Sequence, residues 1–160
     1  MGKSYRFISS DASQKKIVCA FTVSNDSLKV YDMSNSARNK LQRGIASVKR
    51  MRSYPAVLIG RLGVSVEFQG KGLHLGNQLM DFIKLWFLHP NNKTGCRFIV
   101  VDAYNTPKTI AYYQCNGFSF LYQNEDDEKR MFKISLESSL KTRLMIYDLM
   151  NLVKLLGTQN

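Results

Sequence analysis

Three glycines and one lysine lie close together in the segment VEFQGKGLHLGNQL, residues 66–79, between a β-branched run and an amphipathic stretch. Because glycine has no Cβ, the backbone N–H groups of such a turn can approach a ligand closely. A helix that begins there adds unpaired N–H donors and the positive end of its dipole. The segment therefore predicts a turn that binds an anion, most often a phosphate.

A second group of residues suits a larger anion. The chain carries 23 Lys and Arg against 12 Asp and Glu, a net charge of +11. Residues 38–52 contain no acidic residue and hold six basic ones: Arg38, Lys40, Arg43, Lys49, Arg50 and Arg52. A polyanion would release counterions on binding such a stretch. The alternative is a solvated helix face followed by a loop, and both interpretations stay open.

The elements that must position these residues follow from periodicity and turn residues. Residues 5–9 and 16–24 predict a hairpin across a polar link, 10–15, and residues from Ser34 to about Ser47 predict a short helix that Gly44 interrupts. A strand is expected at 56–66, where Gly60 and Gly63 indicate a bulge or a close backbone approach. Further along, we expect a helix at 71–89, a strand at 96–103, a helix at 105–115 and a strand at 118–123.

The C-terminal residues are ambiguous by pattern alone, since residues 142–156 fit a strand or a helix. The strand at 118–123 needs a partner in the sheet. We therefore predict a helical insertion at 125–136 and a last strand at 142–149.

Length and composition favour a single domain over residues 1–160, large enough to bury a core without a disulfide or a metal. Cys19, Cys96 and Cys115 are odd in number and form no CxxC pair, which predicts free thiols in a reducing compartment. No apolar run approaches the roughly 18 residues of a membrane span, and the N-terminus has no apolar signal region. These features predict a cytoplasmic protein that does not associate with a membrane.

Two motifs in order resemble a known family. The stretch RLGVSVEFQGKGLHLG, residues 61–76, followed by AYNTPKTIAYYQCNGF, residues 103–118, is similar to the GNAT superfamily of acetyl-CoA-dependent N-acetyltransferases. Its pyrophosphate loop reads Q/R-x-x-G-x-G/A, and its next helix carries N…Y-x-x-x-G-F. The resemblance covers about residues 5–123 and implies an α+β fold with a central mixed sheet and flanking helices. The strand, helix and helix that open this family have no counterpart before the hairpin, so we expect an N-terminally short domain or an edge supplied by another chain.

The resemblance also implies roles for single residues, with acetyl-CoA as co-substrate and no metal. The strand would offer its backbone to the acetyl-pantetheine arm through Leu62, Gly63 and Val64, and the turn would hold the pyrophosphate through the N–H groups of Gln69, Gly70, Lys71, Gly72, Leu73 and His74. Asn105 would contact the pantetheine end. His74 stands where the family has Gly or Ala, so either its side chain points away from the phosphates or CoA binding is weakened.

Tyr113, four residues before Gly117, would protonate the departing thiolate, with Tyr112 as a rival; simple core packing of the pair is the alternative. A tyrosine with a pKa near 10 suits a thiolate with a pKa near 8.5. An amine nucleophile needs only deprotonation and alignment, so no covalent nucleophile of the protein is required.

The spacing of YPAVLIGRLGV, residues 54–64, and QGKGL, residues 69–73, is most similar to the branch that includes GNAT toxins, which acetylate the α-amine of aminoacyl-tRNA. This branch implies tRNA as a substrate, with the six basic residues at the mouth of the cleft near Tyr113. It also implies an antitoxin-like protein or a second copy of the chain as partner. The alternatives are an acetyltransferase for a small amine or a protein N-terminus, and a non-catalytic nucleic-acid-binding relic of the fold.

Overall fold

The predicted N-terminal hairpin is present in the computed structural model, which describes residues 2–10, 15–31, 33–92 and 94–157. Strands β1 (Lys3–Ile8) and β2 (Ile17–Lys29) pair antiparallel, with Lys3 opposite Val23. Both strands are longer than predicted. Of the predicted link, residues 11–14 lie outside the described ranges.

One mixed sheet contains the six strands of the described ranges, in the order β1-β2-β3-β4-β6-β5. The other strands are β3 (Ser53–Val64), β4 (Phe98–Tyr104), β5 (Ser119–Phe120) and β6 (Thr142–Asp148). β4 lies at the centre, parallel to β3 and antiparallel to β6. This position explains why its first four residues are buried on both faces, as the continuous apolar run predicted.

Helices cover both faces of the sheet; they are α1 (Asn35–Gln42), α2 (Leu75–Leu88), α3 (Pro107–Cys115), α4 (Glu125–Phe132) and α5 (Leu149–Gly157). Alternate residues of a strand point to opposite faces. Val57 and Ile99 accordingly pack with α2, α3 and α5 on what we call the α2 face. Their neighbours Ala56 and Phe98 pack with α1 and α4 on the α1 face. The predicted α+β fold with a mixed sheet and flanking helices is confirmed.

Several predicted bounds are wrong for identifiable reasons. The helix expected from residue 71 begins at Leu75, because Gly70, Gly72 and His74 have positive φ angles that a right-handed helix excludes. α3 begins at Pro107, since Thr106 caps it by accepting a hydrogen bond from the N–H of Thr109. α4 ends at Phe132 because Lys133 is left-handed.

Other bounds differ at the strands. β3 starts at Ser53 and so contains Pro55, and the strand expected at 118–123 is reduced to two residues. The strand expected at 142–149 is confirmed as β6, and it pairs with β5 as predicted. The residues after it form α5, whose amphipathic pattern had not distinguished helix from strand.

Candidate active site

A cleft opens where β3 and β4 separate. The two strands pair from Ala56 opposite Phe98 to Ile59 opposite Val101, and they do not pair beyond that point. On the other edge of β3, Thr22 lies opposite Arg61 and Val23 opposite Ile59, which leaves Gly60 as an extra residue. A bulge of this kind bends its strand and increases the local twist. The predicted bulge is thus found at Gly60, next to the point where the strands part.

The cleft has a volume of about 1140 Å³. It is lined by β3, by the end of β4, by α3 and by residues 69–74, which we call the glycine turn. It brings together nearly all the residues that the sequence analysis placed in a cofactor site: Leu62, Gly63, Val64, Gln69, Gly70, Lys71, Gly72, Leu73, His74 and Tyr113. Five further charged or aromatic residues also line it: Arg61, Phe68, Asp102, Tyr104 and Lys108. The sequence analysis missed these, although Asp102 and Tyr104 end a buried strand, where ligands of open α/β sheets commonly bind.

Beyond Ile59, no strand of the described ranges pairs with the edge of β3 that faces the cleft. Ser65 donates its N–H to Val18 O at 2.8 Å. The backbone N–H and C=O groups of the β3 residues in phase with Ser65 therefore point to β2. Alternate residues point the other way, which directs the backbone groups of Leu62 and Val64 to the cleft. Gln69 Nε2 donates to Val64 O at 2.7 Å, consistent with this direction. An extended ligand could therefore pair with β3 as an added strand would.

The glycine turn has the backbone of an anion-binding nest. Gly70, Gly72 and His74 have φ angles of 70°, 69° and 46°, whereas Lys71 and Leu73 between them do not have positive φ. Alternation of this kind turns successive N–H groups toward one concavity. Within the described ranges, no backbone N–H from Gly70 to Gly76 donates a hydrogen bond. A Cβ added at Gly70 or Gly72 would meet no atom within 4 Å, so the space beside both residues is open.

Two residues at the ends of the turn act through different groups than expected. The N–H of Gln69 donates to Val66 O at 3.2 Å and is not available to a phosphate. Its side chain instead ties the turn to β3. His74 stands at the N-cap of α2 with no side-chain cap, and its carbonyl accepts from the N–H groups of Asn77 and Gln78. A left-handed backbone costs a residue with a Cβ about 1–2 kcal/mol, and His74 bears this strain.

The two tyrosines of α3 are engaged differently. Tyr112 donates its hydroxyl to Gly76 O at 2.7 Å, and Gly76 leaves room for the ring, since a Cβ there would lie 3.3 Å from Tyr112 Cε2. Tyr113 packs between Tyr112 and Phe118, with ring centroids at 5.2 and 5.4 Å. Its hydroxyl makes no hydrogen bond within the described ranges. Burial raises the pKa of both phenols above 10, so both stay protonated at neutral pH.

Asn105 does not line the cleft, so its expected contact with pantetheine stays a prediction. Its Nδ2 donates to Glu125 Oε1 at 3.0 Å and to Leu140 O at 3.1 Å. Its own N–H donates to Lys141 O at 2.9 Å. These bonds connect the turn between β4 and α3 to α4 and to the segment before β6. Asn105 therefore stabilises the position of α3 beside the cleft.

The basic stretch is also not where it was expected, at the mouth of the cleft. α1 packs through Ala37 and Leu41 on the α1 face, and Lys40 donates its ammonium to Phe120 O. Arg52 precedes β3, and at about 3.3 Å per residue it lies about 30 Å from Leu62. None of the six residues lines the cleft: Arg38, Lys40, Arg43, Lys49, Arg50 and Arg52. Lys40 and Arg43 line a separate cavity of about 480 Å³ beside β5.

The described ranges contain no group of three His, Cys, Asp or Glu side chains that could hold a metal ion. No helix in those ranges has the length and apolar character needed to cross a membrane. Cys19, Cys96 and Cys115 are free thiols, buried, half-buried and exposed respectively.

Comparison with known proteins gives matches among solved structures. No family model matches the sequence, and no curated protein matches it. The KacTA–DNA complex matches with a TM-score of 0.62 at 18% identity, over 99% of this chain and 74% of that chain. AtaT complexed with acetyl-methionyl-tRNAfMet matches with a TM-score of 0.60 at 16% identity, over 96% and 74%. AtaTR bound with acetyl-CoA gives 0.55 at 14% identity, over 96% and 73%.

At these identities the matches establish the fold. The chain shares its fold with KacT and with the toxin AtaT. The predicted resemblance is confirmed at the level of the fold.

Proposed function

We propose that this chain is an acetyl-CoA-dependent N-acetyltransferase whose active site is the cleft between β3 and β4. One observation carries the proposal: a turn whose N–H groups make no hydrogen bond in the described ranges, a strand edge without a neighbouring strand and a half-buried tyrosine all line the same cleft. These three features match the pyrophosphate, the amide-containing pantetheine arm and the thioester sulfur of acetyl-CoA. The AtaTR structure bound with acetyl-CoA supports this choice of co-substrate.

The residues of the chain would divide the work as follows. The N–H groups of the glycine turn bind the pyrophosphate, and Leu62 and Val64 align the pantetheine arm along β3. Acetyl-CoA supplies the acetyl group as a thioester, which an amine can attack directly. Tyr113, which lines the cleft, gives its hydroxyl proton to the departing sulfur as the carbon–sulfur bond breaks. Because burial raises the pKa of Tyr113, the phenol is protonated whenever the thioester is bound.

For the acceptor we propose the α-amine of an aminoacyl-tRNA. The AtaT complex with acetyl-methionyl-tRNAfMet and the net charge of +11 support this choice. Arg61, Lys71 and Lys108 supply positive charge inside the cleft. A tRNA is large enough to contact the distant basic stretch at the same time, so a role for that stretch in tRNA binding stays a prediction.

The deciding experiment incubates the protein with labelled acetyl-CoA and a pool of charged tRNA, beside a panel of small amines and peptides. We expect label on the aminoacyl group of tRNA. Tyr113→Phe should lose about 10²-fold or more in kcat with unchanged acetyl-CoA binding, whereas the matched variant Tyr112→Phe should retain kcat.

Other outcomes would select other functions. Label on small amines or peptides alone would discard the tRNA acceptor and leave an acetyltransferase for those amines. Salt-sensitive RNA binding without any acetyl transfer would contradict the enzyme itself.

Three wider inferences accompany this function. Charged tRNA and acetyl-CoA are cytoplasmic, so we place the protein in the cytoplasm. The likeness to KacTA and AtaTR favours an antitoxin-like partner, or a second copy of the chain. Both core clusters pack on the same sheet, which favours one domain over the full length.

A further inference from the structure

Asp102 is a carboxylate in the cleft that the roles above do not use. It lies near the end of β4, opposite Leu144 of β6, and it lines the same cleft as Tyr113. Its side chain is only partly exposed, and it makes no hydrogen bond or ion pair within the described ranges. Asp102 thus places a carboxylate without a partner at the point where two parallel strands separate, and packing does not explain why a carboxylate is found there.

The side chain of Asp102 approaches the cleft from the face opposite the glycine turn. Phe98 and Val100, in phase with Asp102 along β4, pack on the α1 face, whereas Ala103 packs on the α2 face. The glycine turn leads into α2 and so lies on the α2 face, as do Tyr112 and Tyr113. Because β3 and β4 are unpaired beyond Ile59, the cleft passes through the sheet between these two sides.

We propose that Asp102 is the base that takes a proton from the acceptor amine, which enters the cleft from the α1 face. The proposal rests on the acetyltransferase function proposed above. Acetyl-CoA would occupy the turn and the β3 edge, and the amine would meet Asp102 before it reaches the thioester carbonyl. Tyr104, which is 70% exposed and in phase with Asp102, would border the same entrance.

The proton and bond changes balance with groups already named. An α-amine has a pKa of about 7.7–8.0 and is largely an ammonium ion at pH 7, with no lone pair to attack. Asp102 removes one proton, and the freed lone pair forms the carbon–nitrogen bond. The carbon–sulfur bond breaks and Tyr113 protonates the sulfur. Solvent receives the second amine proton and then the proton held by Asp102, and it returns one proton to Tyr113. The products are an amide and the free thiol of CoA.

The charges around Asp102 suit a base. Partial burial, and then the nearby Asp26 carboxylate of β2, raise the pKa of Asp102 and so bring it closer to that of the amine. Glu128 of α4 also repels Asp102, but it is paired with Arg143 of β6 at 2.7 Å. Three basic residues line the same cleft: Arg61 of β3, Lys71 of the glycine turn and Lys108 of α3.

The test compares Asp102→Asn with the parent protein, with acetyl transfer to charged tRNA as the readout. We expect kcat at pH 7 to fall about 10²-fold, with no change in the dissociation constant of acetyl-CoA measured by calorimetry. The deficit should shrink above about pH 8, where the amine loses its proton unaided. Glu137→Gln, at an exposed carboxylate outside the cleft, removes the same charge and should keep the parent rate.

A second variant keeps the proposal testable if Asp102→Asn does not fold. Asp26→Asn removes a negative neighbour and should lower the pKa of Asp102, which moves the acidic limb of the kcat profile to lower pH. An Asp102→Asn protein with the parent kcat and pH profile would overturn the proposal, as would an unmoved limb in Asp26→Asn. If the parent transfers no acetyl group to any amine, the proposed function fails, and this role fails with it.

Discussion

Gly72→Ala tests whether the backbone of the glycine turn, and not merely its glycine content, makes the anion site. Gly72 has a φ of 69°, and a Cβ there would meet no protein atom within 4 Å. The cost to folding is therefore one of backbone strain, about 1–2 kcal/mol for a left-handed alanine, less about 0.4–1 kcal/mol for the lower entropy of the unfolded chain. We expect a net destabilisation of about 1 kcal/mol, which lowers the Tm of a chain of this size by roughly 2–4 °C.

The effect on binding should be larger than the effect on stability. If the strained turn relaxes, its N–H groups no longer converge, and hydrogen bonds to a charged group are worth about 1.5–3 kcal/mol each. Loss of one such bond weakens acetyl-CoA binding by about 10- to 100-fold, at 1.4 kcal/mol for each factor of ten. Isothermal titration calorimetry with acetyl-CoA measures this directly.

Gly44→Ala is the matched control. Gly44 follows α1 with a φ of 73°, also has open space beside it, and does not line the cleft. The variant Gly44→Ala should lose the same free energy of unfolding as Gly72→Ala and keep the parent affinity for acetyl-CoA. Equal affinities in Gly72→Ala and the parent, or an equal loss in both variants, would refute the assignment of the turn.

Other perturbations address the supports of the cleft and its electrostatics. Tyr112→Phe removes the hydrogen bond to Gly76 O and should lower the free energy of unfolding by about 1 kcal/mol in urea titrations. Arg143→Met leaves the buried Glu128 carboxylate without its ion-pair partner and should lower the free energy of unfolding by about 3–5 kcal/mol in the same assay. A loss below about 1 kcal/mol would contradict that pairing. Because burial raises the pKa of Tyr113 above 10, the midpoint of any fall in kcat through loss of its proton should lie above pH 10. Replacing Lys49, Arg50 and Arg52 together by Ala should reduce the salt slope of tRNA binding by about 2–3, with acetyl-CoA affinity unchanged; an unchanged slope would exclude that segment from the tRNA contact.

The sequence by itself determined the parts of this protein that depend on local chemistry. Gly70 and Gly72 have positive φ angles that other residues rarely adopt, so a turn between β3 and α2 could be predicted before the fold. The apolar run in β4 indicated a central strand, and the extra glycine at residue 60 indicated the bulge. These signals lie within a few residues of one another along the chain.

The tertiary structure alone decided which separated residues meet. β6 inserts between β4 and β5, and no local pattern specifies that order. Asn105 fits a motif, yet its amide is held by Glu125 and Leu140 once the chain folds back. The basic stretch is continuous in sequence, but β3 carries its end about 30 Å from the cleft, since a strand rises about 3.3 Å per residue. Asp102 enters the cleft only because two strands part beside it, and that separation depends on pairing across the whole sheet.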